Sequence, residues 1–321
     1  MQQPSETQVR ETLAAAGNFR ADPDVDLLGT RDVQQHRGEA EAAFRSLFAD
    51  AGLDVERLER VQHEYRSELE RLAEERRLAA VDESSKSRDK VIASLNVRRG
   101  LIDTGAAIHP VGIKLERTPV MLDKPFLIQP TSAIVSGEQI APFESWAKTT
   151  FTKTTPGGLI DEGSITDEGV SFYYMWENPN DESVNIDVTT SLGFYGTYGV
   201  HAEGSFFSLT TSKLYVFCAL VVRPWSQQPE FITADVKDVL RREATSHSLL
   251  DGHSTGTLVH TQDLVSPSHS WIQIAARELV VFEVAAVFHL SLQGSGSVTL
   301  NFDDGYFAIA SPFVSIGVWR P

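Results

Sequence analysis

Basic residues are scarce here, long apolar runs are missing and cysteine is almost absent. The 28 Lys and Arg are outnumbered by 44 Asp and Glu, which gives a formal net charge of -16. Such a chain repels phosphate backbones at long range, and its Lys and Arg are interleaved with acids and form no basic run, so nucleic acid is excluded as the expected partner. The single cysteine, Cys218, allows no intrachain disulfide and no multi-thiolate metal site. It lies in the apolar run Leu214 to Leu220 and reads as a small buried strand residue, so fold stability rests on packing.

Membrane and export signals are also missing. The longest apolar stretch, Leu279 to Leu290, is interrupted by Glu283 and His289. It falls well short of the ~20 residues of a spanning helix. The start, Met1-Gln2-Gln3-Pro4-Ser5-Glu6, has neither the basic region nor the apolar core of a secretory signal. A soluble protein is expected, cytoplasmic unless exported by a non-classical route or as part of an assembly. At 321 residues and 41% hydrophobic, the chain has enough apolar content for a sizeable core.

What is present divides into three stretches. Residues 1–37 are polar and acidic, with a brief helical period at Val9, Leu13 and Ala16 before Gly17 and Pro23, and read as an arm or short helix. Residues 38–105 carry helical periodicity: Ala43, Phe44, Leu47 and Phe48 lead to Gly52, and Asp54 is placed to cap a second helix. That second pattern sets Leu58, Val61, Tyr65, Leu69 and Leu72 on one narrow stripe flanked by charges, including Glu56 and Arg60 at i,i+4. The stripe predicts a coiled-coil seam or a docking helix, and these five residues are the expected interface.

From about residue 106 the pattern changes to period-2 alternation rich in β-branched and aromatic residues, so 106–321 is expected to be a β-sandwich of jelly-roll type. Val184, Ile186 and Val188 alternate with Asn185 and Asp187. Phe172–Trp176, Lys213–Arg223, Ile272–Ala275, Leu279–Leu292, Val298–Phe302 and Phe313–Trp319 read as further strands. The runs 214–222 and 279–288 are apolar on both faces, which calls for a second sheet or a subunit to cover them. Ala234–Ala244, with Val236, Val239 and Leu240, reads as a short helix. The expected fold class is α+β multidomain, a helical or coiled-coil-like N-terminal region followed by an antiparallel sandwich.

Motifs for chemistry are few. His247, His253, His260 and His269, with Asp251 and Asp263, form the best metal lead, but spacings of six, seven and nine are wider than the tight pairs of zinc or copper sites. Their Ser-, Thr- and Gly-rich context favours a solvent-facing loop. Asp303 and Asp304 before Gly305, and the acidic turns at 161–163 and 167–169, carry oxygen ligands without calcium-loop spacing, as ordinary turns do. Neither Gly294-Ser295-Gly296 nor Gly252-His253-Ser254 is a nucleophile elbow, and Gly157-Gly158 has no phosphate-loop ending. No catalytic residue, cofactor or metal is therefore expected. The aromatics Phe172, Tyr173, Tyr174, Trp176, Phe194, Tyr195, Tyr198, Phe206 and Phe207 are core first, subunit contact second and sugar platform third.

Trp146-Ala147-Lys148, the run Phe172-Tyr173-Tyr174-Met175-Trp176-Glu177-Asn178-Pro179-Asn180, and Val184 to Val188 resemble segments of uncharacterised bacterial proteins with a helical start and a β-rich remainder. The resemblance covers roughly residues 120–220 and implies a coherent β domain with no attached activity. Asn178-Pro179-Asn180 reads as a turn between antiparallel strands. Three function classes follow. The first is a non-enzymatic structural or interaction protein that forms a homo-oligomer or joins a larger assembly. The second is a secreted or injected effector or membrane-active toxin. The third is a carbohydrate-binding or hydrolytic β-sandwich.

Overall fold

Residues that alternate in burial make sheets, and sheets account for most of the described residues of this chain. The computed structural model describes residues 4–17, 116–130, 135–139, 145–155, 164–202, 210–227, 230–246, 255–294, 296–303, 308–311 and 313–320, with Arg60, Arg71 and Glu75 besides. The elements are α1 (Glu6–Ala16), β1 (Glu116–Leu122), β2 (Leu127–Pro130), β3 (Val135–Gln139), β4 (Ser145–Thr155), β5 (Ser164–Glu177), β6 (Val184–Thr190) and β7 (Leu192–Ala202). They continue with β8 (Thr210–Pro224), β9 (Thr233–Ser246), β10 (Thr255–Val265), β11 (Ser268–Ile274), β12 (Leu279–Gln293), β13 (Gly296–Asn301), β14 (Ala308–Ala310) and β15 (Val314–Arg320).

All pairings are antiparallel. A front sheet has the order β2-β5-β12-β8-β9. Behind it lie back sheet I, β1-β15-β6-β11, and back sheet II, β10-β7-β13-β4-β14 with β3 on β4. The two back sheets follow one register. The continuous run β6–β7 is flanked on one side by β10 and then β11, and on the other by β13, β14 and β15 in succession. The back layer is thus one long ladder broken along a line at Ser191, Ser266-Pro267 and Ser311.

Polar side chains satisfy the backbone at that break, where ladder hydrogen bonds are lost. Thr190 Oγ1 donates to the Phe313 carbonyl at 2.6 Å, and the Thr190 N–H donates to that of Pro267 at 3.2 Å. Ser191 and Ser266 join their hydroxyls at 3.1 Å. From the front sheet, Tyr174 Oη donates to the Ser311 carbonyl at 2.6 Å. Burial pushes the Tyr174 phenol well above its usual range, so it stays a neutral donor.

One core joins the layers. Val280, Phe282, Val284, Ala286, Phe288 and Leu290 of β12 face Ile186, Val188 and Ile316 of back sheet I and Phe194, Val200 and Leu300 of back sheet II. Phe288 and Phe302 pack at 5.6 Å and Phe194 meets Phe288 edge-on at 6.4 Å. Gly196 lets Phe302 in: a Cβ there would lie 2.5 Å from its ring.

The other face of the front sheet is buried as well. Val9 and Leu13 of α1 pack on Tyr173 and Val281. The helix is fixed by a Ser5/Gln8 capping box, by Gly17 at its end and by Arg10, which hydrogen-bonds the Phe126 carbonyl. Beside it, Glu283 is fully buried and takes Arg223 at 2.7 Å, Ser171 at 2.8 Å and Tyr173 at 3.2 Å. Desolvation first, and the Glu283 charge second, push the Tyr173 phenol far above its ordinary range. Further along, Tyr215, Phe217, Ala219, Val221, Ala285 and Val287 form a second buried cluster, with the Arg241 guanidinium over the Tyr215 ring.

Several expectations need correction. Strands account for 72% and α1 is the one helix of seven or more residues among the described residues, so the α+β class with a helical or coiled-coil-like N-terminal region gives way to a mostly-β chain. The described residues of that region, Arg60, Arg71 and Glu75, are themselves helical. Of residues 38–105 only Arg60, Arg71 and Glu75 are described, Arg71 and Glu75 forming an i,i+4 ion pair. The stripe Leu58, Val61, Tyr65, Leu69 and Leu72 lies outside the described residues.

Ala234–Ala244 is not a helix but part of the edge strand β9, paired with β8 along its length. A bulge places Leu240 opposite Val216 and Asp238 opposite Phe217, and the extra residue, Val239, gives Val236, Val239 and Leu240 their helix-like spacing. The doubly apolar runs need no subunit either, because the single chain already buries Ala219, Val221, Val281 and Ala285 to 1% exposure or less. Asn178-Pro179-Asn180 carries the chain from the front sheet to back sheet I, and buried Asn178 ties it by donating to the Ala275 carbonyl at 2.8 Å.

Glu283→Ala leaves Arg223 uncompensated in the interior and is expected to cost about 3–5 kcal/mol in urea unfolding. Glu283→Gln, which keeps an acceptor, is expected to cost less.

Candidate functional site

Back sheet I has one face on the core and one in solvent, and the solvent face carries an unusual set of side chains. Ile186, Val188, Ile316 and Val318 point inward, so Asn185, Asp187, Gly317 and Trp319 point outward. Register adds Arg117 of β1 opposite Trp319, and Gln273 of β11 opposite Asn185. Between His269 and Ile272 the β11 ladder slips, and Trp271 sits in that irregularity across from Asp187.

Trp271 is the centre of the face. It is 53% exposed, the most exposed of the large apolar side chains among the described residues. Its backbone has φ 62, a left-handed conformation that is an outlier for a bulky residue inside a strand. Such a residue persists only when its surroundings impose it. Here Asp187 does so: Oδ1 accepts from the Trp271 backbone N–H at 2.9 Å, and Oδ2 accepts from Trp319 Nε1 at 2.6 Å. One carboxylate thus fixes the backbone of one tryptophan and the ring of the other.

The two rings lie 6.0 Å apart, tilted by 50°. Trp319 is 8% exposed and makes the floor; Trp271 stands above it as a wall. From the neighbouring strand β1, the Arg117 guanidinium lies 5.6 Å from the Trp319 ring centroid in a cation–π contact. It fills the space left by Gly317, where a Cβ would come within 2.4 Å of Arg117 Nε. Four adjacent strands hold the set, a width of roughly 14 Å at about 4.8 Å per strand step. The result is an aromatic surface with amide, carboxylate and guanidinium groups around it, suited to a ligand with a flat apolar face and a polar rim.

The residues singled out from sequence do not build a site together. His247 and His253 lie outside the described residues, as do Asp251 and Asp304. The backbone of His260 is in β10 opposite Thr197, and that of Asp263 is opposite Phe194. His269, on β11, donates from Nε2 to the Leu220 carbonyl at 2.9 Å and has Thr233 Oγ1 3.4 Å from Nδ1. Both ring nitrogens serve the contact between back sheet I and the front sheet. Asp303 is an exposed turn residue paired with Lys148 at 3.4 Å. Among the described residues no three His, Cys, Asp or Glu side chains come together as a metal site. Cys218 is buried, and desolvation raises its thiol far above the usual range, so it is inert packing.

The aromatic set from sequence is core: Phe172, Tyr173, Tyr174, Phe194 and Tyr198 are buried to 2% exposure or less. Phe206 and Phe207 are outside the described residues. Sequence reasoning missed the Trp271 and Trp319 pair. The available signal was Trp271 standing out of phase with Ile272 and Ile274, next to serines, in a strand otherwise alternating.

No family model and no curated protein matches this chain. Among solved structures it is similar to a carbohydrate-binding module, TmCBM61 in complex with β-1,4-galactotriose, at 9% identity and TM-score 0.20, over 60% of this chain and 90% of that one. It is similar also to the infectious bursal disease virus VP2 subviral particle, at 11% identity and TM-score 0.13, over 67% of this chain and 45% of that one. At such scores neither likeness carries an argument. No described helix is long and apolar enough to cross a membrane.

If Asp187 imposes the Trp271 conformation, Trp271→Gly removes the strain and leaves stability in urea unchanged or higher, by up to about 1–2 kcal/mol. Asp187→Ala, which strips a shared acceptor from two N–H donors, is expected to lower it by about 1–3 kcal/mol. A Trp271→Gly loss as large as that of a core truncation would show the side chain to be structural.

Proposed function

We propose that the β domain is a non-catalytic binding module that recognises carbohydrate on the outer face of back sheet I. The observation that carries this reading is Trp271, held exposed in a strained backbone by Asp187. The exposed half of the indole gains nothing for the fold, and a strained conformation costs it about 1–3 kcal/mol. A ligand that stacks on the ring supplies the missing reason. Sugar rings present a flat C–H face to an indole and hydroxyls at the edge, and Asn185 and Gln273 lie on the same face to meet them.

Competing occupants fit less well. Single-stranded nucleic acid also stacks on aromatics, but its binders track the backbone with a positively charged groove, and the residues described beside the tryptophans offer a single cation, Arg117. The buried acid Glu283 is enclosed by Arg223, Ser171 and Tyr173, so it holds the fold and is not poised for hydrolysis. This reading takes up the third class expected from sequence, a carbohydrate-binding β-sandwich, in place of the structural or interaction protein set first, and gives it a defined surface.

A glycan array probed with the full chain, followed by titration of tryptophan fluorescence with the best oligosaccharide, tests it. Trp271→Ala is expected to weaken binding at least tenfold, a difference of about 1.4 kcal/mol. Val236→Ala, an exposed position on β9, is the control and is expected to bind like the parent. Absence of any glycan hit, or equal binding by Trp271→Ala, overturns the proposal. Loss of a dimer in Trp271→Ala, seen by light scattering, would reassign the face to a contact between copies of the chain.

A further inference from the structure

Arg117 has features that the aromatic platform alone does not explain. Its guanidinium is held by packing, flat over Gly317 and against Trp319. Among the described residues no carboxylate lies within ion-pair distance of it, and its Nε is buried without a hydrogen-bond partner. Asp187, across the strand from Gly317, is turned to the tryptophan N–H groups, one at each oxygen, and makes no ion pair with Arg117.

A buried donor left unpaired is uncommon and points to a group that pairs with it or with the same fork in the working state. The guanidinium is planar and fixed in orientation before any ligand arrives, which is the arrangement that favours two-point recognition of a carboxylate. Its position matters equally. Arg117 comes from the strand next to Trp319, and its guanidinium lies over Gly317 beside that ring, so a ligand stacked on the tryptophans meets the guanidinium at its edge.

We infer that the ligand of this face is an acidic saccharide, a sugar chain in which a uronate carboxylate pairs with Arg117 while a ring stacks on Trp271. The inference rests on the carbohydrate reading above and adds the charge of the ligand. The acidity of the whole chain does not forbid it. Beyond about 8 Å at physiological salt surface charges are largely screened, so the local cation governs the final contact.

The test uses the full chain and one sugar with and without its charge, oligogalacturonate and its fully methyl-esterified form, followed by tryptophan fluorescence. The acid form is expected to bind at least tenfold more tightly than the ester, a difference of about 1.4 kcal/mol. Arg117→Gln is expected to reduce that ratio to near unity, with Arg117→Lys intermediate and both variants checked for parental thermal stability. If Arg117→Gln fails to fold, the Lys variant alone decides: an undiminished acid preference overturns the inference. Equal binding of acid and ester by the parent overturns the charge assignment and leaves the platform standing. Binding of neither form, with neutral glycans still sensitive to Trp271→Ala, likewise overturns it. Tight binding to dextran sulfate that survives Arg117→Gln marks a diffuse charge effect and counts against the inference.

Discussion

The break across the back layer is the constraint on which the other features depend. The run β6–β7 and its two flanking runs cannot remain one flat ladder and still cover the twisted front sheet, since long open sheets accumulate twist. Each must interrupt its pairing at the same level, and each interruption leaves backbone groups without ladder partners. Thr190 and Tyr174 supply side-chain partners, the carbonyls of Pro267 and Ser145 accept from Thr190 and Ser311, and the hydroxyls of Ser191 and Ser266 pair with each other. Small hydroxyl residues suit the position because they reach neighbouring backbone without adding volume to a core that is already filled by Phe288, Phe302 and Phe194. Tyr174 links the layers as well, since its ring belongs to the core and its hydroxyl to the break.

Breaking the ladder creates back sheet I as a short unit with its own solvent face. The inward set Ile186, Val188, Ile316 and Val318 anchors it, and His269 and Asp235 tie its edge strand to the front sheet, His269 through Leu220 and Asp235 through the Ser268 N–H. The irregularity in β11 then turns Trp271 out of the ladder. Pairing with β6 on its one neighbouring side, and a carboxylate between two indoles, hold the aromatic face, so that little ordering entropy remains to be lost when something stacks there. The front sheet contributes differently. Buried on both faces along β5, β12 and β8, and carrying the Glu283 and Arg223 pair in its middle, it is the plate against which the back layer is set.

How much of this was legible in the sequence differs by element. Period-2 alternation identified β6 and the apolar run identified β12, because both are set by burial, which local composition reports directly. The strand β9 was lost to a helical pattern because one bulge residue, Val239, shifts the phase of its apolar positions, and a bulge depends on the partner strand. The tryptophan face was invisible for a related reason. Asp187 meets Trp271 and Trp319 from 84 and 132 residues away, and no local signal marks a left-handed non-glycine backbone. Abundant aromatics drew attention to Phe172 and Tyr173, yet a cluster on a strand is what a core requires. The histidines failed as a group because proximity along the chain is not proximity in space: His269 was recruited to a sheet contact while the backbone of His260 lies in another sheet.

The strain at Trp271 and the orientation of Arg117 belong to one argument about what selection for folding alone would produce. A glycine at 271 would satisfy the backbone, a polar residue there would satisfy solvent, and a small side chain at 317 would displace the guanidinium without reaching the core. None of those choices is present. Gly317 instead makes room for Arg117, Arg117 lies against Trp319, Trp319 is hydrogen-bonded to Asp187, and Asp187 holds Trp271. A chain of four contacts in which each residue positions the next, ending on an exposed indole, has its consequence at the surface. The core beneath would be the same without it, which is why the proposed binding surface is the outer face of back sheet I and not the larger buried network around Glu283.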